Sequence, residues 1–366
     1  MQTLPFSDLA DLGLLVSLNL QTDAEDGLGG LSVQNGWYVH DGAVVWGYMQ
    51  HNGWWRAGQR PNLTRNAFYD VSHPLRRELH RAYIRKCLDV LGSNTNVVFL
   101  CSEEYTGPKD FMEFWLDTVF EWEEETGRDV HVGLSATKDV LDAILDDAKR
   151  AKRISTIDLR YWWYQSDGSV YAPLGGRDVA GRFANEINQT TPAQFHRQVA
   201  DYRAKYPEKA IIHGNPGTRQ HAWAALTGGA SLLVGQLPYP DKSDPSEYIS
   251  PEPFVAIQPT YDFIREHIAT ALPQMSPHDE LIKADGLAWC LAQPTKHYVV
   301  YAIKGGVMDV NLSAATGSFR ARWFDPRTGK LSDARDDKVD GGSAIRFIAP
   351  DQKDWALWLS PQQREE

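Results

Sequence analysis

Six short apolar runs, separated by amphipathic helical segments, constrain this chain more than anything else in it. They are LLVSLNLQ from Leu14, NVVFLC from Asn96, VHVGLSA from Val130, STIDLRYWW from Ser155, AIIHGN from Ala210 and ASLLVGQL from Ala230. Near-continuous apolar runs suit strands covered on both faces, and the helices between them supply the crossovers of a parallel sheet. The helical segments have legible ends. One follows Ser72, places Pro74 in its first turn, repeats Leu75, Leu79, Tyr83 and Cys87 at helical spacing and ends before Gly92. A second carries Phe111, Phe114, Trp115, Val119 and Trp122 on one face and stops near Gly127. A third opens on Thr191, Pro192 and Gln194 at capping-box spacing and buries Phe195, Val199 and Tyr202. The stretch from Tyr239 to Pro259, rich in Pro, Asp and Ser, reads as a long loop leading into a last helix around Tyr261, Ile264 and Ile268.

After Gly286 the period changes. GLAWCLAQ, HYVVYAIKGG, VMDVNLS, SFRARWFDPRTGKL, SAIRFIAP and DWALWLS are short alternating runs separated by Gly, Pro, Asp and Asn, the pattern of a compact antiparallel sandwich. In SFRARWF, Phe319, Ala321 and Trp323 share one face, and Arg320 and Arg322 the other. At 366 residues the chain exceeds the roughly 250–300 residues at which one core stops growing. The expected organisation is α/β: a (β/α) barrel over residues 1–280 and a small antiparallel β-sandwich over 281–366. Only six parallel strands are legible, where a closed TIM-type barrel needs eight.

Composition excludes some functions. A formal charge of -11, with no basic stripe, argues against nucleic acid as a partner. No apolar run approaches the roughly 18 residues of a membrane span, and no basic segment followed by an apolar one opens the chain. The location follows from the start: cytoplasmic if Met1 is the true first residue, secreted or periplasmic otherwise. Cys87, Cys101 and Cys290 have no metal-ligand spacing and read as buried free thiols. No metal and no organic cofactor are implied. The 13 Trp and 15 Tyr suit stacking on sugar rings, although large cores use the same residues.

In parallel α/β folds the reactive residues come from the carboxyl ends of several strands. Those ends are chemically loaded here. The loop after the first run holds His51, Asn52, Trp54, Trp55 and Arg56. Glu103, Glu104 and Tyr105 follow the second run, and Asp139 the third. Asp158, Arg160, Tyr161, Trp162 and Trp163 belong to the fourth, His213 and Asn215 to the fifth, and Gln236 to the sixth. Each has a bland alternative. Glu103, Glu104 and Asp139 suit first turns of helices, Asp158 and Arg160 an ion pair within one strand, and His213 a satisfied core histidine. Of the pairs Trp54–Trp55 and Trp162–Trp163, one ring each is expected to face away from the core. Taken together, carboxylates, amides, an arginine and indoles suit a polyhydroxylated substrate. Clustered carboxylates raise one another's pKa, which keeps a proton donor available for cleaving a glycosidic bond.

The stretches NVVFLCSEEYTGP, HGNPGTRQHAWAALTGGASLLVGQ and YVVYAIKGG … FRARWFDPRTGKL … KDWALWL resemble glycoside hydrolases that join an apiosidase-like (β/α)8 barrel to a C-terminal β-sandwich bearing a collagen-binding label. The resemblance runs from about Leu14 to Leu359, and WFDPRTGKL is its most specific part. It implies that the family's acid/base carboxylate falls on Glu104. The family's nucleophile position falls on Asn215, where an amide cannot form a glycosyl-enzyme. Asp158, Glu103 and Asp139, in that order, are the acids that could substitute. It also aligns the run from Leu14 with a third barrel strand, so that the first two would precede Met1 or the barrel would close by association with a second copy. The expected activity is glycosidic hydrolysis of a plant or algal oligosaccharide or polysaccharide. Two alternatives stay open: a non-catalytic glycan-binding protein on a degenerate barrel, and a polysaccharide lyase using Tyr161 and Arg160.

Overall fold

The computed structural model describes residues 69–101, 105–159, 162–176, 190–214, 218–234, 252–335 and 338–362, and the short strand segments 16–19, 39–40 and 43–44. Each of the six apolar runs forms a strand. In the first compact unit, residues 1–163 and 169–189, four of them pair in parallel in chain order. They are β1 (Val16–Asn19), β2 (Val97–Leu100), β3 (His131–Ser135) and β4 (Thr156–Asp158). Register sets Asn19 opposite Leu100, Leu100 opposite Gly133, and Ser135 opposite Asp158, so the carboxyl ends form one edge. Every residue of β2 is buried, as expected of a strand covered on both faces. At Gly133 a Cβ would meet Leu100 Cδ2 at 2.5 Å, so the neighbouring side chain fills the space a larger residue would need.

Helices α1 (Pro74–Leu91), α2 (Lys109–Thr126) and α3 (Lys138–Asp146), with a single further turn at Ala148–Ala151, accompany these strands. On α2 the expected face is buried through Phe111, Phe114, Trp115, Val119 and Trp122. Gly127, in the left-handed region at φ 66°, closes that helix by donating its N–H to Glu123 O at 2.9 Å. Trp122 Nε1 donates to Asp89 Oδ1 at 2.7 Å, which fixes α2 against α1. Cys101 is buried and Cys87 partly exposed, and both are free thiols.

The second unit, residues 164–168 and 190–366, joins the later strands and helices to the sandwich. It contains α4 (Pro192–Lys205), β5 (Ala210–Gly214), α5 (Arg219–Thr227), β6 (Leu232–Val234) and α6 (Glu252–Phe263), with β5 and β6 parallel. Thr191 caps α4 by accepting from Gln194 N. The return arm of the capping box is not made, because Gln194 Oε1 has no partner among the described residues. Helix α6 corrects one expectation: the stretch read as loop up to Pro259 is helical from Glu252. Pro253 sits in its first turn, where a missing N–H leaves no bond unmade, and Pro259 is carried inside the helix. No described helix is long and apolar enough to cross a membrane.

The C-terminal strands are β7 (Ser276–Pro277), β8 (Ile282–Ala284), β9 (Ala288–Gln293), β10 (His297–Ala302), β11 (Val307–Asn311), β12 (Ser318–Phe324), β13 (Leu331–Asp333), β14 (Val339–Asp340), β15 (Ala344–Ile348) and β16 (Trp355–Pro361). A larger sheet runs β7-β9-β10-β16-β12-β13, with β14 also on β12, and a smaller one β8-β11-β15. Phe319, Ala321 and Trp323 are buried between them with Tyr298, Val300, Val310, Phe347, Leu357 and Leu359, as the alternation predicts.

The other face of the larger sheet is partly covered by helices of the same unit. Trp223 of α5 stacks on Tyr301 with ring centroids 5.2 Å apart, Phe263 of α6 packs on Phe324 at 4.8 Å, and His196 of α4 stacks on Trp289 at 5.0 Å. Within this apolar joint, Asp354 (4 % exposed) takes the Arg219 fork at 2.9 and 3.0 Å and the Tyr301 hydroxyl at 3.0 Å. Burial, followed by the charge of Asp354, pushes the Tyr301 phenol far above its ordinary pKa. Removing one partner of a buried pair strands the other charge. Arg219→Met is therefore expected to destabilise this unit by about 3 kcal/mol, read as a lowered thermal midpoint.

Candidate functional site

The carboxyl ends of β1–β4 form the first rim. Asp158 ends β4 and is 3 % exposed, so a carboxylate is buried at the position where parallel-sheet folds place their chemistry. The chain after β2 returns to this edge. Cys101 is buried at the end of β2, and Tyr105 forms a parallel bridge with Ala136, donating its N–H to Ser135 O at 2.9 Å. Glu103 and Glu104 lie outside the described residues. So do His51, Asn52, Trp54, Trp55, Arg56, Arg160, Tyr161, Asn215 and Gln236.

Several predicted binding residues have structural partners. Tyr105 is fully buried against Tyr69 and Phe111, and its hydroxyl donates to Pro108 O at 2.6 Å. Asp139, in the first turn of α3, accepts the Gly175 N–H on both carboxylate oxygens at 3.1 Å. Gly175 has no room for a side chain: a Cβ would meet Val140 Cγ2 at 2.5 Å and Gly107 O at 2.8 Å. Gly176, at φ 73°, donates to Thr106 O at 2.9 Å. Asp139 thus clamps a glycine turn onto the rim. Sequence reading missed this, since its only local signal is the GG pair at 175–176. Thr137, just before α3, is buried there with no partner for Oγ1 among the described residues.

The tryptophan pair departs from expectation, because both Trp162 and Trp163 are buried. Trp163 stacks on Tyr171 at 4.5 Å, and Lys138 Nζ lies 4.7 Å from the Trp162 ring centroid. Residues that follow the strand cover the ring that a bare strand would have exposed. Every other described tryptophan is buried too, so the aromatic composition reports core packing over these residues.

In the second unit His213 sits on β5, buried, with Nε2 at 3.2 Å from Gln198 Oε1 and its ring 4.1 Å from Phe195. It is a satisfied core histidine. Nearby, His221 donates from Nε2 to Thr190 O at 3.0 Å, and its Nδ1 accepts from the Thr218 hydroxyl at 2.7 Å. Among the described residues, no cluster of His, Cys, Asp and Glu is arranged to hold a metal ion.

Comparison with known proteins follows the fold. The profile described as "Domain of unknown function (DUF6298)" matches residues 57–244, more than half of the chain. The chain belongs to the DUF6298 family. In this DUF6298 protein the profile described as "Putative collagen-binding domain of a collagenase" matches residues 279–360. A glycoside hydrolase family 5 structure from Bacteroides vulgatus superposes with a TM-score of 0.57 at 12% identity, covering 99% of this chain and 87% of that one. A second structure, named as a glycoside hydrolase, gives 0.53 at 14% identity over 78% and 69%. The DUF6298 chain therefore shares the fold of TIM-barrel glycoside hydrolases, followed by an antiparallel β region, and the expected resemblance to such proteins holds. A search of curated protein sequences finds no match.

Two predictions arise here. Asp139→Ala removes the clamp on Gly175 and is expected to lower the thermal midpoint, at a cost of about 1 kcal/mol for an exposed acceptor. The second concerns pH. Burial holds His221, His267 and His297 below the ordinary histidine pKa, helped by the Arg322 charge at His267 and the Lys296 charge at His297. The unfolded chain binds protons at a histidine pKa of about 6.5, where the folded chain does not. Stability from these groups is thus complete above that value and is lost as pH falls through their lower folded pKa values. Thermal midpoints should drop between pH 7 and pH 5, and His221→Gln should flatten the drop.

Proposed function

We propose that this chain is a glycosidase that cleaves a glycosidic bond in a plant or algal oligosaccharide or polysaccharide, acting as an exo-enzyme. The observation that carries the reading is Asp158, a buried carboxylate at the carboxyl end of a parallel strand, in a fold shared with glycoside hydrolases. Glycosidic cleavage needs a proton donor for the leaving oxygen and a second carboxylate that attacks or activates water. Glu104 is the donor, on the strength of the family resemblance of its segment. Asp158 is the partner, with Glu103 as the alternative. Asn52, Trp55, Arg160 and Asn215 would supply hydrogen bonds and stacking for the sugar. No cofactor enters this scheme.

A second reading, a glycan-binding protein without catalysis, is favoured by Asn215 standing where the family resemblance puts a nucleophile. Glu104→Gln separates the two. Hydrolysis is expected to fall by about 100- to 10,000-fold while sugar affinity is retained. Wild type and variant that both bind a glycan and cleave nothing would establish the binding protein instead. NMR of the released anomer assigns the partner's role: inversion places water between the carboxylates, and retention requires a nucleophile. Unsaturated products absorbing in the near ultraviolet would mark a lyase.

A further inference from the structure

The outer face of the larger sandwich sheet is only half covered. At one end Tyr301, Phe324 and Trp289 meet the helices of the same unit. At the other lies a cleft of about 590 Å³ lined by His297, Arg320, Arg322, Trp358, Ser360, Pro361 and Gln362. His297 of β10, Arg320 and Arg322 of β12, and Trp358 and Ser360 of β16 sit at outward positions that alternate with the core residues Tyr298, Ala321 and Leu359, and Pro361 and Gln362 close the cleft at the end of β16.

Hydrogen bonding in this cleft is incomplete in one direction. Trp358 is 5 % exposed, yet its Nε1 has no partner; Arg322 Nε and His297 Nδ1 are likewise buried without one among the described residues. An indole and a guanidinium are donors only, so what is missing is acceptors. The two arginines also differ. Arg320 is matched by Asp333 through two hydrogen bonds at 3.0 and 3.2 Å. Arg322 makes no ion pair among the described residues; its guanidinium lies 4.1 Å from the Trp358 ring centroid, while His267 packs on the same indole at 4.8 Å. Burial and the neighbouring Arg320 charge lower the Arg322 pKa; Asp333, its cross-strand neighbour, opposes this but spends its hydrogen bonds on Arg320, so Arg322 keeps no ion pair of its own among the described residues.

We propose that this cleft binds the acidic group of an anionic glycan, a carboxylate or a sulfate ester on a sugar. Arg322 is the charge partner, Ser360 and Gln362 meet the neighbouring oxygens, and His297 and Trp358 form the wall beside them. A guanidinium fork matches either anion bidentately, and the hydroxyl, amide and imidazole around it match sugar hydroxyls better than a peptide's apolar side chains. The site does not depend on the catalytic reading.

Calorimetric titration of the full chain tests this, using a galacturonic acid trisaccharide, a sulfated galactose trisaccharide, neutral galactotriose and hexaglutamate. The Glu104→Gln protein serves as host, so turnover does not disturb binding and failure of the catalytic reading would not alter the result. At least one acidic trisaccharide is expected to bind with Kd of about 1 mM or tighter and at least tenfold better than the neutral one. Which acid binds identifies the group. Arg322→Gln should weaken that binding about tenfold or more, with Arg322→Lys recovering part of the loss. Ser360→Tyr, which fills the cleft and leaves every charge in place, should block it as well. The proposal is overturned if no acidic trisaccharide binds, if galactotriose or hexaglutamate binds equally well, or if both Arg322→Gln and Ser360→Tyr bind like their parent.

Discussion

A carboxylate buried in an aromatic joint organises the second unit. Asp354 is 4 % exposed, and burying a charge that has no partner costs several kcal/mol. The Arg219 fork and the Tyr301 hydroxyl remove that cost, and they do so in one geometry only. Arg219 begins α5 and Tyr301 lies on β10, so satisfying Asp354 fixes the helix on the sheet. Trp223, Phe263, Phe324 and Trp289 then supply the apolar contact that a polar cluster cannot. Nearby, Arg327 pairs with Asp325 at 2.6 Å and lies over the Trp355 ring at 4.8 Å, which extends the same pattern along the sheet.

The first unit uses polar groups differently. Its rim is held by backbone accounting: Tyr105 N–H to Ser135, Thr137 N–H to Tyr105, Gly176 N–H to Thr106 and Gly175 N–H to Asp139. These bonds, three within the main chain and one to the Asp139 carboxylate, fix the residues on either side of the strand ends.

Much of the architecture was legible, for a physical reason. Strands covered on both faces must be apolar throughout, and the alternation in SFRARWF has one solution once Phe319, Ala321 and Trp323 face inward. Helix ends at Thr191 and Gly127 follow from unsatisfied backbone groups. Less legible was whatever depended on distant segments. Nothing local announces that Tyr171 covers Trp163, that Asp139 reaches Gly175, or that Gln198 satisfies His213. Pro259 read as a breaker because propensity weighs the missing N–H and ignores the packing of the helix around it. The sandwich cleft was overlooked because alternation places Arg320, Arg322 and Trp358 on a face but does not say where helices stop covering it.

The shared sheet face also bears on how this chain could be dissected. Its C-terminal strands look like a portable module, since a family match of their own covers residues 279–360. Yet excising them would bare Trp289, Tyr301 and Phe324 together and leave Asp354 without its guanidinium. Such a fragment would carry an aromatic patch prone to self-association. A transplantable piece would have to begin near Thr190, taking α4, α5 and α6 with it, so the heritable building block is larger than the sequence boundary suggests.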